Sequence, residues 1–199
     1  MIETMYIGSG DVCALLAGKD TKSHIALMQR FVSGEKPHYN ALASPIDALR
    51  TGAILEDRYL SVLSEDYYPQ YRVQSEEMDV FIASIDFARI KDGKVIDFDE
   101  LKTCSFNDFL DIQENGVDFK KPAWKKYYNQ IQEQLYCAGL ESANLVFLVA
   151  YSYDDEENYN RDIQENEYTK IRVNRDETAI GKIKERGQIF QQIKDCYKQ

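Results

Sequence analysis

Asp86, in the run VFIASIDFARI, and Glu100 and Lys102, in VIDFDELKT, are the residues of this chain best suited to chemistry. Two carboxylates offer oxygen ligands, the kind that hold a hard divalent cation such as Mg²⁺ or Mn²⁺. The three read as one metal site, in which the acids hold the cation and the lysine stands beside the water it activates. Glu100 and Lys102 are two apart, so on a strand they share one face. A surface strand of alternating charge would also contain them. Against that, the preceding run is strongly apolar and reads as central, where unpaired charge is costly.

The register of the hairpin tests this grouping. Asp92-Gly93 between two apolar runs is a hairpin signal. A regular two-residue turn there pairs Asp86 with Asp99 and turns Asp86 away from Glu100. An odd-length loop or a bulge pairs Asp86 with Glu100 instead. The shared site therefore requires one of those irregularities.

Two helices supply the other candidates. In the helix that opens at Ser44-Pro45 and runs to about Leu63, Leu49, Ala53, Glu56, Leu60 and Leu63 form one amphipathic stripe. Glu56 stands on it where an apolar residue is expected. Pairing with Arg58 is its bland explanation and a role beside Asp86 and Glu100 the functional one. A later helix opens at Pro122 and ends near Gly139. Its apolar seam is Trp124, Tyr128, Ile131, Leu135 and Ala138, with Tyr127, Gln130 and Gln134 as a neighbouring stripe. Lys120, Lys121, Lys125 and Lys126 cluster at its start, where the helix dipole does not favour cations. Basic and aromatic residues together suit a nucleic-acid backbone, although a solvated helix start reads the same way.

The elements that position these residues follow an order of helix, helix, helix, strands, helix, strand, acidic loop, strand, helix. That order is α/β, with a central mixed sheet flanked by helices. A short helix begins at Ser9-Gly10-Asp11, and a second spans about Lys22–Ser33 before Gly34. YRVQSEEMDVFIASIDFARI and KVIDFDELKT form the sheet core. NLVFLVAYSY reads as a buried strand, DDEENYNRDIQENE as an exposed loop, YTKIRVNR as a strand, and the chain is helical from about Asp176.

With 199 residues and 44% hydrophobic composition, the chain is expected to form a single domain over 1–199. A net charge of −10 argues against a passive nucleic-acid binder and against anionic membranes, but not against an enzyme whose acids meet metal. No apolar run reaches membrane-spanning length, and MIETMYIGSGD is no signal peptide. A cytoplasmic location is expected. Cys13, Cys104, Cys137 and Cys196 are widely spaced and read as free, mostly buried thiols. His24 and His38 receive no role. No GxSxG, P-loop or dinucleotide fingerprint is present.

Several short segments then fall into one pattern. Gly8-Ser9-Gly10-Asp11-Val12 forms a small-Ser-acidic helix start, and Gly52-Ala53-Ile54-Leu55-Glu56 a G-x-x-x-E helix. Ser84-Ile85-Asp86 and Glu100-Leu101-Lys102 stand as an acid and an E-x-K motif, and Tyr127, Gln130 and Gln132 as Y-x-x-Q-x-Q. Together they resemble the bacteriophage lambda exonuclease family (the YqaJ-like viral recombinase nucleases) of the PD-(D/E)xK superfamily, over nearly the whole chain. Ile85 stands where the family usually has proline. MIETMYI lacks the arginine that often precedes the serine motif.

The resemblance implies a restriction-endonuclease-like core and Mg²⁺- or Mn²⁺-dependent hydrolysis of DNA to 5′-phosphate products. By it, Asp86, Glu100 and the Leu101 carbonyl bind metal, and Glu56 does so directly or through water. Lys102 orients the attacking water and Gln130 supports the lysine or that water. Ser9, Lys120, Lys121, Lys125, Lys126 and Tyr127 contact DNA. Family members degrade one strand of duplex DNA from the 5′ end, feed a single-strand annealing partner, and in some cases form ring-shaped trimers, so a homo-oligomer in a bacterial or phage-infected cell is implied. Three readings stay open: an exonuclease for phage-type recombination, a structure-specific or repair endonuclease on the same core, and a catalytically idle nuclease fold used as a binding module.

Overall fold

The computed structural model describes residues 5–35, 47–151 and 162–198. Six strands form one sheet. They are β1 (Ile7–Gly8), β2 (Tyr67–Gln74), β3 (Phe81–Lys91), β4 (Lys94–Cys104), β5 (Ser142–Val149) and β6 (Tyr168–Asn174). The order is β1-β3-β4-β5-β6, with β2 also on β3. β1 runs parallel to β3 and β4 parallel to β5, and the other pairs are antiparallel. The sheet is thus mixed, as expected.

Helices cover both faces. The larger core joins α1 (Val12–Leu16), α2 (Lys22–Ser33), α5 (Pro122–Ala138) and α6 (Glu177–Lys198) to Phe81, Ala83, Ile85, Phe98, Leu145 and Phe147 of the sheet. On the other face α3 (Asp47–Tyr59) sets Leu55 and Tyr59 against Phe87, Leu101, Val146 and Leu148.

Local chemistry explains the helix limits. Thr21 caps α2 by accepting the His24 N–H, and Gly34 closes it in the left-handed region at φ 69°. Pro122 opens α5 and Gly139 closes it at φ 67°. A helix not expected from the sequence, α4 (Phe106–Asn115), follows β4 directly, capped by the Ser105 hydroxyl on Asp108 N. The run YRVQSEEMDVFIASIDFARI divides into β2 and β3. Tyr67 and Tyr68 belong to β2 as well, and Pro69 lies inside it.

Two further expectations change. The stripe Ala53, Glu56, Leu60 and Leu63 is only half-buried, and the buried face of α3 carries Ile54, Leu55, Arg58 and Tyr59 instead. Tyr59 decides this orientation, because its ring packs on Phe87 and its hydroxyl donates to buried Asp99 at 3.1 Å. The four thiols are free, but Cys13 and Cys196 are exposed, Cys104 is half-buried and only Cys137 is buried. Part of the acidic segment forms a 3₁₀ turn at Glu165–Glu167, with Glu167 buried. Ser44, Pro45, His38 and residues 152–161 lie outside the described residues. Among the described residues no helix is long and apolar enough to cross a membrane.

Candidate active site

The site lies where the sheet parts. β2 occupies one edge of β3 from Ile82 to Arg89. β1 pairs with Phe81 and Ile82, and β4 with Phe87 to Lys91, so both use the other edge. Residues 83–86 have no ladder partner there, and buried backbone groups left without partners are costly. Side chains take the place of a strand at Ser84. The Ser84 carbonyl accepts from Gln134 Nε2 at 2.8 Å and from the Ser9 hydroxyl at 3.3 Å. Across the seam the Leu101 N–H donates to Asp86 Oδ2 at 2.9 Å. One strand residue points its N–H and C=O to the same edge, so the Leu101 carbonyl faces the seam too.

The hairpin register brings the acids together. Asp92 and Gly93 form a two-residue turn with φ 51° and 75°, the left-handed pair of a type I′ turn. Lys91 pairs with Lys94 and Ile90 with Val95, but Arg89 then pairs with Asp97. Ile96 is the extra residue of a bulge. Phe87 consequently meets Asp99, and the same register carries Asp86 to the position opposite Glu100. The irregularity required by the sequence is this bulge.

A second irregularity falls on Asp86 itself. Its partner position on β2 is Gln70, which drops out of the ladder and has φ 51°. Before the pair, Tyr67 and Pro69 lie on the face of Phe87; after it, Tyr71 and Val73 lie with Ile85 and Ala83 against the larger core. The inward parity slips by one in both strands. A non-glycine residue held left-handed stores strain of the kind found at functional sites.

Glu100 is 0% exposed and its two oxygens collect three donors. Lys102 Nζ and Gln130 Nε2 both reach Oε1 at 2.5 Å, and Gln134 Nε2 reaches Oε2 at 2.6 Å. Burial pushes the Asp86 carboxyl well above its ordinary range, and Glu100 across the seam pushes it further. Burial opposes charge on Lys102, but Glu100 and Asp86 outweigh it and raise the ammonium pKa. Glu56 is also raised, by burial first, against a hydrogen bond from Gln70. It influences Glu100 and Lys102 through charge, while its hydrogen bond goes to Gln70. The link between β2 and Glu56 had no mark in the sequence.

The remaining candidates divide. Tyr127 lies beside the site, its ring centroid 5.5 Å from Lys102 Nζ and 4.6 Å from Lys126 Nζ. Lys120, Lys121 and Lys125 are exposed, and Lys120 and Lys125 line a groove against α6. Ser9 is buried beside the Ser84 carbonyl. Gln132 leaves the group. Its amide donates to Asn174 O and accepts from Asp176 N, both at 2.8 Å, joining β6 to α6. Gln134 takes its place at Glu100. It lies on the Tyr127–Gln130 stripe of the helix but outside the Y-x-x-Q-x-Q motif.

These groups fit a divalent cation. Among the described residues no three carboxylate, imidazole or thiol groups form a ready-made cage. Mg²⁺ does not need one, since it is commonly held by one or two carboxylates, water and substrate phosphate. Asp86, Glu100 and the Leu101 carbonyl provide such a partial set. The repulsion that raises Asp86 is what a cation would relieve.

No protein-family model and no curated protein matches the sequence. Solved structures do. An alkaline exonuclease from Laribacter hongkongensis superimposes with a TM-score of 0.65 at 18% identity, covering 99% of this chain and 94% of that one. Its complex with dAMP gives 0.64 at 16%, covering 98% and 91%. A phage-related exonuclease from Haemophilus somnus 129PT gives 0.59 at 18%, covering 96% and 94%. The mixed sheet and flanking helices of this chain therefore make up the restriction-endonuclease-like fold that these exonucleases share.

Proposed function

We propose that the protein is a metal-dependent DNA exonuclease that leaves 5′-phosphate products. The observation that carries the reading is the meeting of Asp86 and Glu100 across the open seam, with Lys102 bonded to Glu100. The fold shared with exonucleases supports the same class.

A divalent cation in this site would acidify a bound water and offset charge on the scissile phosphate. Asp86, Glu100 and the Leu101 carbonyl would hold it, with Glu56 acting through water. The chain's own groups do the rest. Gln130 and Gln134 fix the Glu100 carboxylate, so its geometry is set before substrate arrives. Lys102, held in its charged form beside Glu100, would face the oxygens on which negative charge develops. Water gives up a proton to solvent and forms a bond to phosphorus as the P–O3′ bond breaks. The departing 3′ oxygen takes a proton from solvent, and the phosphate stays on the 5′ end. Lys126 and Tyr127 flank the seam where a backbone would enter. Digestion from 5′ to 3′ on duplex DNA, supply of single strands to an annealing protein, and a ring of like subunits complete the proposal.

The test is digestion of 5′-phosphorylated linear duplex DNA with Mg²⁺, beside a closed circle and Lys102→Ala. Only the linear DNA should be degraded, and the variant should lose at least about 10²-fold in rate. Cutting of the circle makes the protein an endonuclease. No cutting with Mg²⁺ or Mn²⁺ overturns the proposal.

A further inference from the structure

The basic residues at the start of α5 do not all serve one surface. Successive helix positions lie about 100° apart, so Lys126, Tyr127 and Gln130 turn toward the seam while Lys125 and Tyr128 turn toward α6. Between α5 and α6 lies a groove of about 830 Å³, lined on the α5 side by Lys120 and Lys125 and on the α6 side by Lys182 and Arg186.

Its charge runs against that of the molecule, which is −10 overall. Several cations elsewhere are paired, among them Lys170 with Asp99, Arg172 with Asp97, Lys184 with Glu77 and Lys198 with Asp79. Among the described residues, none of the four groove cations has a carboxylate within ion-pair distance. Two acids also line the groove, and one of them is engaged. Asp176 accepts from Tyr128 Oη and Thr178 N at 2.7 and 2.8 Å and from Ala179 N at 3.2 Å. Glu185 is the other.

The groove also has an aromatic wall. The rings of Phe119 and Tyr128 lie 5.1 Å apart at 39°, and both are half-buried. Base faces stack on such rings at about 1–3 kcal/mol each. In a duplex those faces are stacked on one another, so only an unpaired strand can offer them.

We propose that this groove binds single-stranded DNA, with Lys120, Lys125, Lys182 and Arg186 on its phosphates and Phe119 and Tyr128 against its bases. The proposal rests on the nuclease reading for its polymer and adds a second DNA contact, one helix face away from the seam. A strand leaving the seam needs only to cross the first turns of α5 to reach it.

The test is fluorescence anisotropy with labelled dodecathymidylate and with a duplex of the same length, in EDTA so that no cleavage intervenes. The variant is Lys182→Glu with Arg186→Glu, the first exposed and the second half-buried on α6. It should lose at least about tenfold in affinity for the single strand, and its salt slope should fall by about 1.4, or 0.7 per lost contact. Duplex affinity should change less than about twofold. Phe119→Leu should weaken the single strand without altering the slope. Unchanged single-strand binding in the double variant, or an equal loss on the duplex, overturns the proposal. Because binding is read without metal, a lack of cleavage would sink the nuclease reading and leave this result standing.

Discussion

Replacing Glu133 by glutamine should stabilise the protein near pH 8 but not near pH 5. Glu133 is 0% exposed within α5. Its Oε1 accepts from the Cys137 thiol at 3.2 Å, and its Oε2 has no hydrogen-bond partner among the described residues. Burial raises its carboxyl from the ordinary 4.5 to about 8, with Asp11 and Glu100 adding repulsion against the Cys137 hydrogen bond. Between those values the folded chain holds a proton that the unfolded chain has released. Stability therefore falls as pH rises across that window, by about 1.4 kcal/mol per unit for one proton. The full loss, reached above pH 8, is on the order of 5 kcal/mol at most. Glutamine cannot ionise and escapes this loss, while its unpartnered amide costs about 1–3 kcal/mol at every pH. The variant should thus be no more stable than the parent near pH 5 and more stable by a few kcal/mol near pH 8. Urea denaturation at steps from pH 5 to 8.5 measures this directly. Other titrating groups are common to both proteins, so the difference isolates Glu133. Parallel stability curves would refute the reasoning.

Two further changes probe the seam and the core. Asp86→Asn removes a carboxylate whose pKa is raised. The stability that the raised group loses as pH climbs past its unfolded value is recovered, so the metal-free variant should melt higher than the parent at pH 7.5. Mn²⁺ at about 100 times its Kd should stabilise the parent by about 3 kcal/mol and the variant hardly at all; equal shifts in differential scanning fluorimetry would remove Asp86 from the metal site. Gly187→Ala should cost about 1–3 kcal/mol by overpacking, because a Cβ there would fall 2.2 Å from Phe81 Cζ and 2.6 Å from Cε2. Its melting temperature should drop while activity per folded molecule holds, and an unchanged melting curve would mean that α6 moves aside freely.

The sequence was most legible where backbone chemistry leaves a mark. Gly34 and Gly139 stop helices because they accept left-handed conformations, and both lie at the expected ends. The hairpin bulge was readable because two carboxylates had to share a face. Gln70 was not readable, since nothing about a glutamine announces a left-handed backbone. The orientation of α3 was misread because Leu49, Leu60 and Leu63 look as apolar as Ile54, Leu55 and Tyr59. The bond from Tyr59 to Asp99, forty residues away, chose between the two faces. Gln134 escaped for a related reason: Gln132 and Gln134 differ only in which neighbour each finds. α4 was missed although Ser105 and Gly116 delimit it.

Asp99 and Glu100 are adjacent buried acids with unrelated surroundings. Asp99 is neutralised by Lys170 and held by Tyr59 and Asn144, whereas Glu100 faces the seam. Sliding the strand by one residue would exchange a structural acid for a reactive one. The six-residue parallel ladder from Asp99 to Cys104 on β5 resists the slide, together with the turn and bulge that set the register against β3. Ile96 separates the two regions like a joint. The tip at Asp92-Gly93 lies outside that ladder, so an affinity tag or longer loop placed there should leave the chemistry in frame. The same insertion between Ile96 and Glu100 would not.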